Sequence, residues 1–227
     1  MQPYFLPYLG YFQLIHAVDT IIVYDNIQYT KTGWINRNRL CREGDAVMFS
    51  LPLKKASATV DVGARQLAAD FTPGKLLNQF TGAYRRAPYF AATLPLIEAV
   101  LNCDSRDLFP FLLHSLRATC AHTGIATPMC ISSAIDIDHS LKGQERVLEL
   151  CTACGADTYV NLMGGVDLYS RDAFRARGID LKFIRMRPFE YPQLQHPFVP
   201  LLSIVDVLMF NSVATVQDRI ASGYELL

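Results

Sequence analysis

Between Asp25 and Arg42 the chain reads DNIQYTKTGWINRNRLCR, a dense set of groups able to bind an anion and a ring together. Lys31, Arg37, Arg39 and Arg42 are cations, Gln28, Asn36 and Asn38 carry amides, and Tyr29 and Trp34 offer flat faces. Guanidinium groups fork onto phosphate oxygens and stack on aromatic rings, so the combination suits a phosphorylated ligand bearing a base or sugar. In an extended segment residues of equal parity share a face, which would let Arg37 and Arg39 grip one anion. Lys31, Arg37 and Arg39 would then stabilise developing phosphate charge. Asp25, after the apolar run IIVY, would hold Mg²⁺ or act as a base. The expected catalytic residues are Asp25, Lys31, Asn36 and Arg39. The expected substrate contacts here are Gln28, Tyr29, Trp34, Arg37 and Asn38. The competing reading is a solvated basic loop over an aromatic mini-core, and residue types alone do not separate the two.

Further candidates lie downstream. Lys142-Gly143 opens a helical pattern, where a lysine beside a helix N-terminus can meet phosphate, though a solvent-facing lysine in a turn is the more frequent arrangement. Asn161 and Gly164-Gly165 follow the run TYVNL, at the strand end where α/β sheets hold ligands, or form a plain tight turn. Tyr191 and Gln193 follow IDLKFIRM and are added to the substrate set. Ser203 with Asp206 three residues later has the form of a helix N-cap pair. Cys151-Thr-Ala-Cys154 is a lone CxxC at a helix C-terminus and reads as structural thiols. The five histidines show no metal spacing, and no metal-binding residue is assigned. Asp136-Ile-Asp138-His139 reads as a polar strand end. GxSxG, Walker A and GxGxxG motifs are absent.

The elements that must position these groups follow from periodicity. QPYFLPYLGYF reads as a Pro- and aromatic-rich loop, residues 10–18 as a short helix, and IIVY as a buried parallel strand. Residues 26–45 read as polar, basic loop, and 47–53 as a strand. Helices are expected over 72–86, 89–101 with a break or kink at Pro95, and 107–122 ended by Gly124. Strands at 129–137, 158–162 and 179–186 then alternate with helices at 143–154 and 170–177, and helices at 203–210 and 216–222 close the chain. Loop, helix and strand in the first 25 residues resemble the opening of a βαβ unit whose first strand would precede Gln2. The expected architecture is α/β: one domain over residues 1–227, a Rossmann-like parallel sheet and a helical insertion at about 65–125.

Composition bounds the class. Residues number 227, with 21 basic against 21 acidic side chains, and 51% are hydrophobic. That balance argues against a dedicated nucleic-acid binder and the apolar share against disorder. Eight of the 25 aromatics fall in the first 34 residues, beside only Asp19, Asp25 and Lys31 as charges, so the zero net charge hides a local asymmetry. Apolar runs break before 18 residues, and Pro3 and Pro7 interrupt any leader-like stretch, so no membrane span is expected. Six scattered cysteines fit reduced thiols and a cytoplasmic location.

The strings QPYFLPYLGYFQLI, VYDNIQYTKTGWINRNRL, GADTYVNLMGGVDLY and LLSIVDVLMFN resemble the WbqC-like family of bacterial proteins across essentially the whole chain. The resemblance implies a role in surface-polysaccharide (O-antigen) biosynthesis, and a short apolar strand ahead of Met1. A weaker resemblance joins Pro7-Tyr8-Leu9-Gly10-Tyr11 to the HxGH motif of nucleotidyltransferases, with Tyr at both His places. It implies a nucleotidyltransferase-like fold and nucleotide contacts from Gln2, Tyr8, Gly10 and Tyr11, joined by Lys142 and Gly143. Tyrosine donates to phosphate but carries no positive charge, so the histidine-dependent step does not carry over.

Together these imply an enzyme that binds ATP or a nucleotide-sugar, with Mg²⁺, and transfers a group to a sugar, such as an amide formed on an amino sugar. The small-molecule partner would be a nucleotide-sugar or amino acid; a homodimer stays open. Two competitors remain: a nucleotidyltransferase making an activated precursor, and a non-catalytic nucleotide-sugar-binding or scaffold protein.

Overall fold

A computed structural model gives the structure of the protein and describes residues 1–57 and 59–227. The chain is mixed α/β. Helix α1 (Leu9–His16) is apolar on every side and buried from Leu9 to Ile15, as a core helix must be. Its one amide, Gln13, is fully buried; its Nε2 donates to the carbonyls of Arg219 (2.8 Å) and Gly223 (3.0 Å). Strand β1 (Ile21–Val23) follows, and Met1 lies beside it: the Met1 amine donates to the Ile22 carbonyl, and Tyr24 N donates to the Met1 carbonyl.

Residues 37–50 correct the expected basic loop. They form a hairpin of β2 (Arg37–Arg42) and β3 (Asp45–Ser50), with Arg37 opposite Ser50 and Arg42 opposite Asp45. Glu43 and Gly44 turn the chain at φ +55° and +86°, the paired left-handed conformation that two-residue hairpins need. The alternating Arg and Asn side chains disguise the strand: Asn38 and Leu40 point inward, Arg37 and Arg39 outward. Asn38 tolerates burial because its amide donates to the carbonyls of Phe5 (3.3 Å) and Leu6 (2.9 Å) and accepts from Arg39 N (2.8 Å).

Three helices come next: α2 (Pro73–Tyr84), α3 (Phe90–Leu101) and α4 (Leu108–His122). Pro95 lies inside α3 rather than ending it. Strand β4 (Met129–Ile131), shorter than expected, pairs parallel with β1. Helix α5 (Gly143–Ala153) leads to β5 (Thr158–Leu162); α6 (Arg171–Ala176) crosses to β6 (Asp180–Met186), parallel to β5. Helices α7 (Ile204–Phe210) and α8 (Val213–Ser222) precede β7 (Tyr224–Leu226), which sequence patterning missed and which closes β6 antiparallel.

The described residues therefore make three small sheets, β1–β4, β2–β3 and β5–β6–β7, rather than one continuous parallel sheet. The main core joins the N-terminal segment, the hairpin, α2 and α4 through edge-on rings: Phe5 to Phe49 (5.7 Å), Phe49 to Phe80 (4.9 Å) and Phe71, just ahead of α2, to Phe111 (5.9 Å). The N-terminal aromatic segment is thus partly core: Phe5 and Leu6 are fully buried. No helix among the described residues is long and apolar enough to cross a membrane.

Candidate functional site

The hairpin carries two cavities. The larger, about 690 Å³, is lined by Lys31 and Arg37 before and within β2, Lys54 and Lys55 beyond β3, and Arg65 from the turn ahead of α2, with no aspartate or glutamate among the described residues of its wall. Tyr29 and Asn36 complete a braced side: Tyr29 Oη donates to Asn36 Oδ1 (2.8 Å), and Asn36 Nδ2 donates to the Leu51 carbonyl (2.8 Å). Arg37 Nε donates to Gly33 O (2.9 Å) and Nη2 to Thr32 O (2.7 Å), fixing the turn that carries Lys31.

Arg65 is the unexpected member. It is only 4% exposed, its guanidinium lies 4.0 Å from the Tyr29 ring centre, and Nη2 donates to Ser57 O (2.7 Å). Its buried Nε has no partner, and no carboxylate comes within ion-pair distance among the described residues. A buried guanidinium without counter-charge is costly unless an anion joins it.

The second cavity, about 210 Å³, is lined by Tyr4, Pro7, Tyr8, Trp34, Asn38, Arg39 and Leu201. Arg39 lies over the Trp34 ring at 5.3 Å and donates through Nη2 to Leu201 O (3.2 Å). The equal parity of Arg37 and Arg39 is realised in β2, yet the two side chains line different cavities. Parity fixes a shared face but not convergence, because each guanidinium is drawn to a different set of backbone carbonyls.

The N-terminal candidates separate. A Cβ at Gly10 would come within 2.5 Å of Tyr8 Cε2, so the missing side chain makes room for the Tyr8 ring. Burial, with Tyr4 nearby, pushes the Tyr8 phenol up to about 12. Tyr11 is fully buried and donates to the Gln2 carbonyl (2.7 Å), while the Gln2 side chain is exposed. Gln28 pairs with Asp61 across an isolated antiparallel bridge.

Asp25 does stand at the end of β1, where both carboxylate oxygens accept from Ser133: Oδ2 from the hydroxyl (2.5 Å) and Oδ1 from the backbone (3.0 Å). Beside it Arg146 of α5, 8% exposed, donates to Asn26 and Ser132 and lies over Tyr24 at 5.1 Å. Sequence reasoning missed Arg146; its place on the helix face that carries Val147 and Leu150 was the available signal. Lys142 and Gly143 are exposed at the start of α5, Gly143 at φ +55°.

Asn161 folds back on its own segment: Nδ2 donates to Tyr159 Oη (3.2 Å) and fills the space over Gly165, while Gly164 is exposed. Tyr191 and Gln193 converge on Asp206. Tyr191 Oη and Gln193 Nε2 each donate to Asp206 Oδ1 at 2.7 Å, and Tyr84 Oη donates to Oδ2 at 2.8 Å. Ser203 is the N-cap of α7 as expected, its hydroxyl accepting from Val205 N (3.2 Å) and donating to Leu6 O (2.7 Å). Asp206 does not reciprocate as a capping group, because its carboxylate is used by those three donors. No group of three or more His, Cys, Asp or Glu able to hold a metal occurs among the described residues.

Residues 2–218 match the WbqC-like protein family. The uncharacterized protein Rv1507c of Mycobacterium tuberculosis (strain ATCC 25618 / H37Rv) is 27% identical over 224 residues, covering 96% of this chain and 94% of that protein. No solved structure matches the chain. With its N-terminal aromatic segment, basic hairpin and α7 all inside the matched range, the chain belongs to the WbqC-like protein family.

Proposed function

We propose that this WbqC-like protein binds a nucleotide or nucleotide-sugar and transfers a group to a sugar during synthesis of bacterial surface-polysaccharide precursors; for an amide on an amino sugar, ATP would activate a carboxylate as its acyl adenylate with loss of pyrophosphate, and attack by the sugar amine would release AMP. The observation behind the reading is the cavity of five cations and no carboxylate, with Arg65 buried and uncompensated. Such a site favours a diphosphate-sized anion, and forked guanidinium donors recognise phosphate oxygens. Phosphates would sit between Arg65, Lys54, Lys55, Arg37 and Lys31, with Lys31 and Arg37 stabilising charge that develops in the transfer. Asn36, held by Tyr29 and Leu51, is a fixed edge of that site.

The two parallel strand pairs and α1 following the Pro-rich segment support a nucleotidyltransferase-like arrangement on this reading. The space over Gly10 belongs to the Tyr8 ring, so the phosphate end is assigned to the hairpin cavity rather than to the start of α1. Mg²⁺ fits poorly with the residues present. The cavity wall supplies no carboxylate, and Asp25 gives both oxygens to Ser133. No step is routed through a metal.

A thermal-unfolding series with ATP, CTP and UDP-, dTDP- and GDP-sugars checks the reading. A ligand at about 100 times its dissociation constant adds about 2.7 kcal/mol. For a chain of this size that raises the midpoint by roughly 5–10 °C. No rise with any of them sinks the proposal. A rise without consumption of any amine or sugar acceptor would leave a binding protein and no transferase.

A further inference from the structure

The smaller cavity has a different chemistry from the basic one. At about 210 Å³ it lies below the roughly 300–1,000 Å³ typical of drug-sized ligands, so it admits one ring and its substituents. Its walls are the rings of Tyr4, Tyr8 and Trp34, closed by Pro7 and Leu201. Trp34 is 37% exposed and Leu201 55% exposed, so apolar surface is offered to a visitor.

Its polar groups are few and incompletely bonded. The hydroxyls of Tyr4 and Tyr8 make no hydrogen bond among the described residues, and Arg39 Nε has no partner. A phenol both donates and accepts, as a sugar hydroxyl does. Burial holds both phenols above their usual range, so they keep their protons at neutral pH.

The geometry disfavours two other occupants. A flat base sandwiched between two rings needs parallel faces, yet Arg39 covers one face of the indole, and Tyr4, Tyr8 and Trp34 form no ring pair with one another. A phosphate needs converging cations, and Arg39 stands alone, bonded to Leu201 O.

Backbone strain sits at the same place. Leu201, on the rim, adopts φ +55°, and Leu6, next to Pro7, adopts φ +44°, a conformation L-residues other than Asn and Asp rarely take. Arg39 holds the Leu201 carbonyl, and Asn38 and Ser203 hold the Leu6 carbonyl. Strain maintained by surrounding bonds clusters at ligand sites.

We propose that this cleft is a separate subsite for a neutral, hydroxylated pyranose ring, stacked on the aromatic walls and hydrogen-bonded by Tyr4, Tyr8 and Arg39. The inference deepens the proposed function and rests on it for the sugar's role in transfer, not for the existence of the subsite.

Trp34 is the sole tryptophan, so its emission reports this cleft directly. The full chain is titrated with the methyl glycosides of glucose, galactose and mannose and of their 2-acetamido forms, with adenosine and pyrophosphate as comparisons. At least one glycoside is expected to change the emission saturably, and neither comparison compound to do so. Tyr8→Phe keeps the ring and loses the hydroxyl; it should weaken that binding by about three- to tenfold at an unchanged melting midpoint.

A saturable response to adenosine in place of the glycosides, no response at all, or full affinity in Tyr8→Phe overturns the proposal. A Lys54→Ala, Lys55→Ala double variant separates this outcome from the other cavity's. It should reduce any nucleotide-dependent midpoint rise and leave the glycoside response intact.

Discussion

Asp206→Ala is expected to lower the melting midpoint by about 10 °C. The carboxylate is fully buried and accepts from Tyr84 of α2 and from Tyr191 and Gln193 of the segment between β6 and α7. Truncation leaves the buried Tyr84 and Gln193 donors and the half-buried Tyr191 hydroxyl without that acceptor, at a cost of roughly 3–5 kcal/mol in total. A chain of this size loses about 2–4 °C per kcal/mol. Tyr84 Oη also accepts from Cys41 N (3.0 Å), so the loss spreads into β2.

Asp206→Asn isolates the charge. Burial raises the Asp206 carboxyl, and the bonds from Tyr191, Tyr84 and Gln193 pull it only part of the way back. The folded chain therefore holds this proton more tightly than the unfolded chain. The contribution is fully present below the unfolded value of about 3.9 and is lost as pH rises through the raised folded value. Urea unfolding of both proteins over a pH series should show the wild type losing ground to Asp206→Asn across that window. A difference constant with pH would mean that Asp206 does not titrate with the fold.

Arg65→Met is the second large effect. A charge-assisted hydrogen bond is worth about 1.5–3 kcal/mol, so nucleotide affinity should fall by roughly 10- to 100-fold. Ligand-free stability should hold or rise, because the change removes a buried cation that lacks a counter-charge. Calorimetric titration with the nucleotide giving the largest midpoint rise, beside melting of the free variant, reads both. Unchanged affinity would assign Arg65 to bracing Tyr29 and Ser57 alone.

Much of the secondary structure was legible in the sequence. TYVNL forms a strand with the expected bounds, and helices 73–84, 90–101 and 108–122 follow their apolar stripes. The hairpin was hidden because β2 buries an asparagine at a position where a strand usually buries an apolar side chain, so RNRLCR shows no apolar alternation. Glu43-Gly44 was the overlooked turn signal.

The cations of the loop could be named by type, since Lys31 and Arg37 share one local segment. Arg65 could not: it reaches the same cavity only because the chain returns, with Leu53 bridged to Leu67 and Leu108 N bonded to Arg65 O. Tyr191 and Gln193 were legible as a polar constellation, but their partner is Asp206, which sequence spacing assigned to a cap. Tyr11 follows the motif spacing yet turns into the core, because a helix buried on all sides leaves that position no open face.

One amide braces both walls of the aromatic cleft. Tyr4 and Tyr8 flank the segment whose carbonyls Asn38 holds, while Trp34 and Arg39 flank Asn38 itself. The two walls are thus pinned by this side chain from a paired strand, with the bond from Phe5 N to Ile35 O and the Ser203 hydroxyl on Leu6 O beside it, and Tyr and Trp have few torsions left to freeze. A ring entering between them would forfeit its own freedom but cost the protein little, so selection rests on shape already in place rather than on closure around the guest.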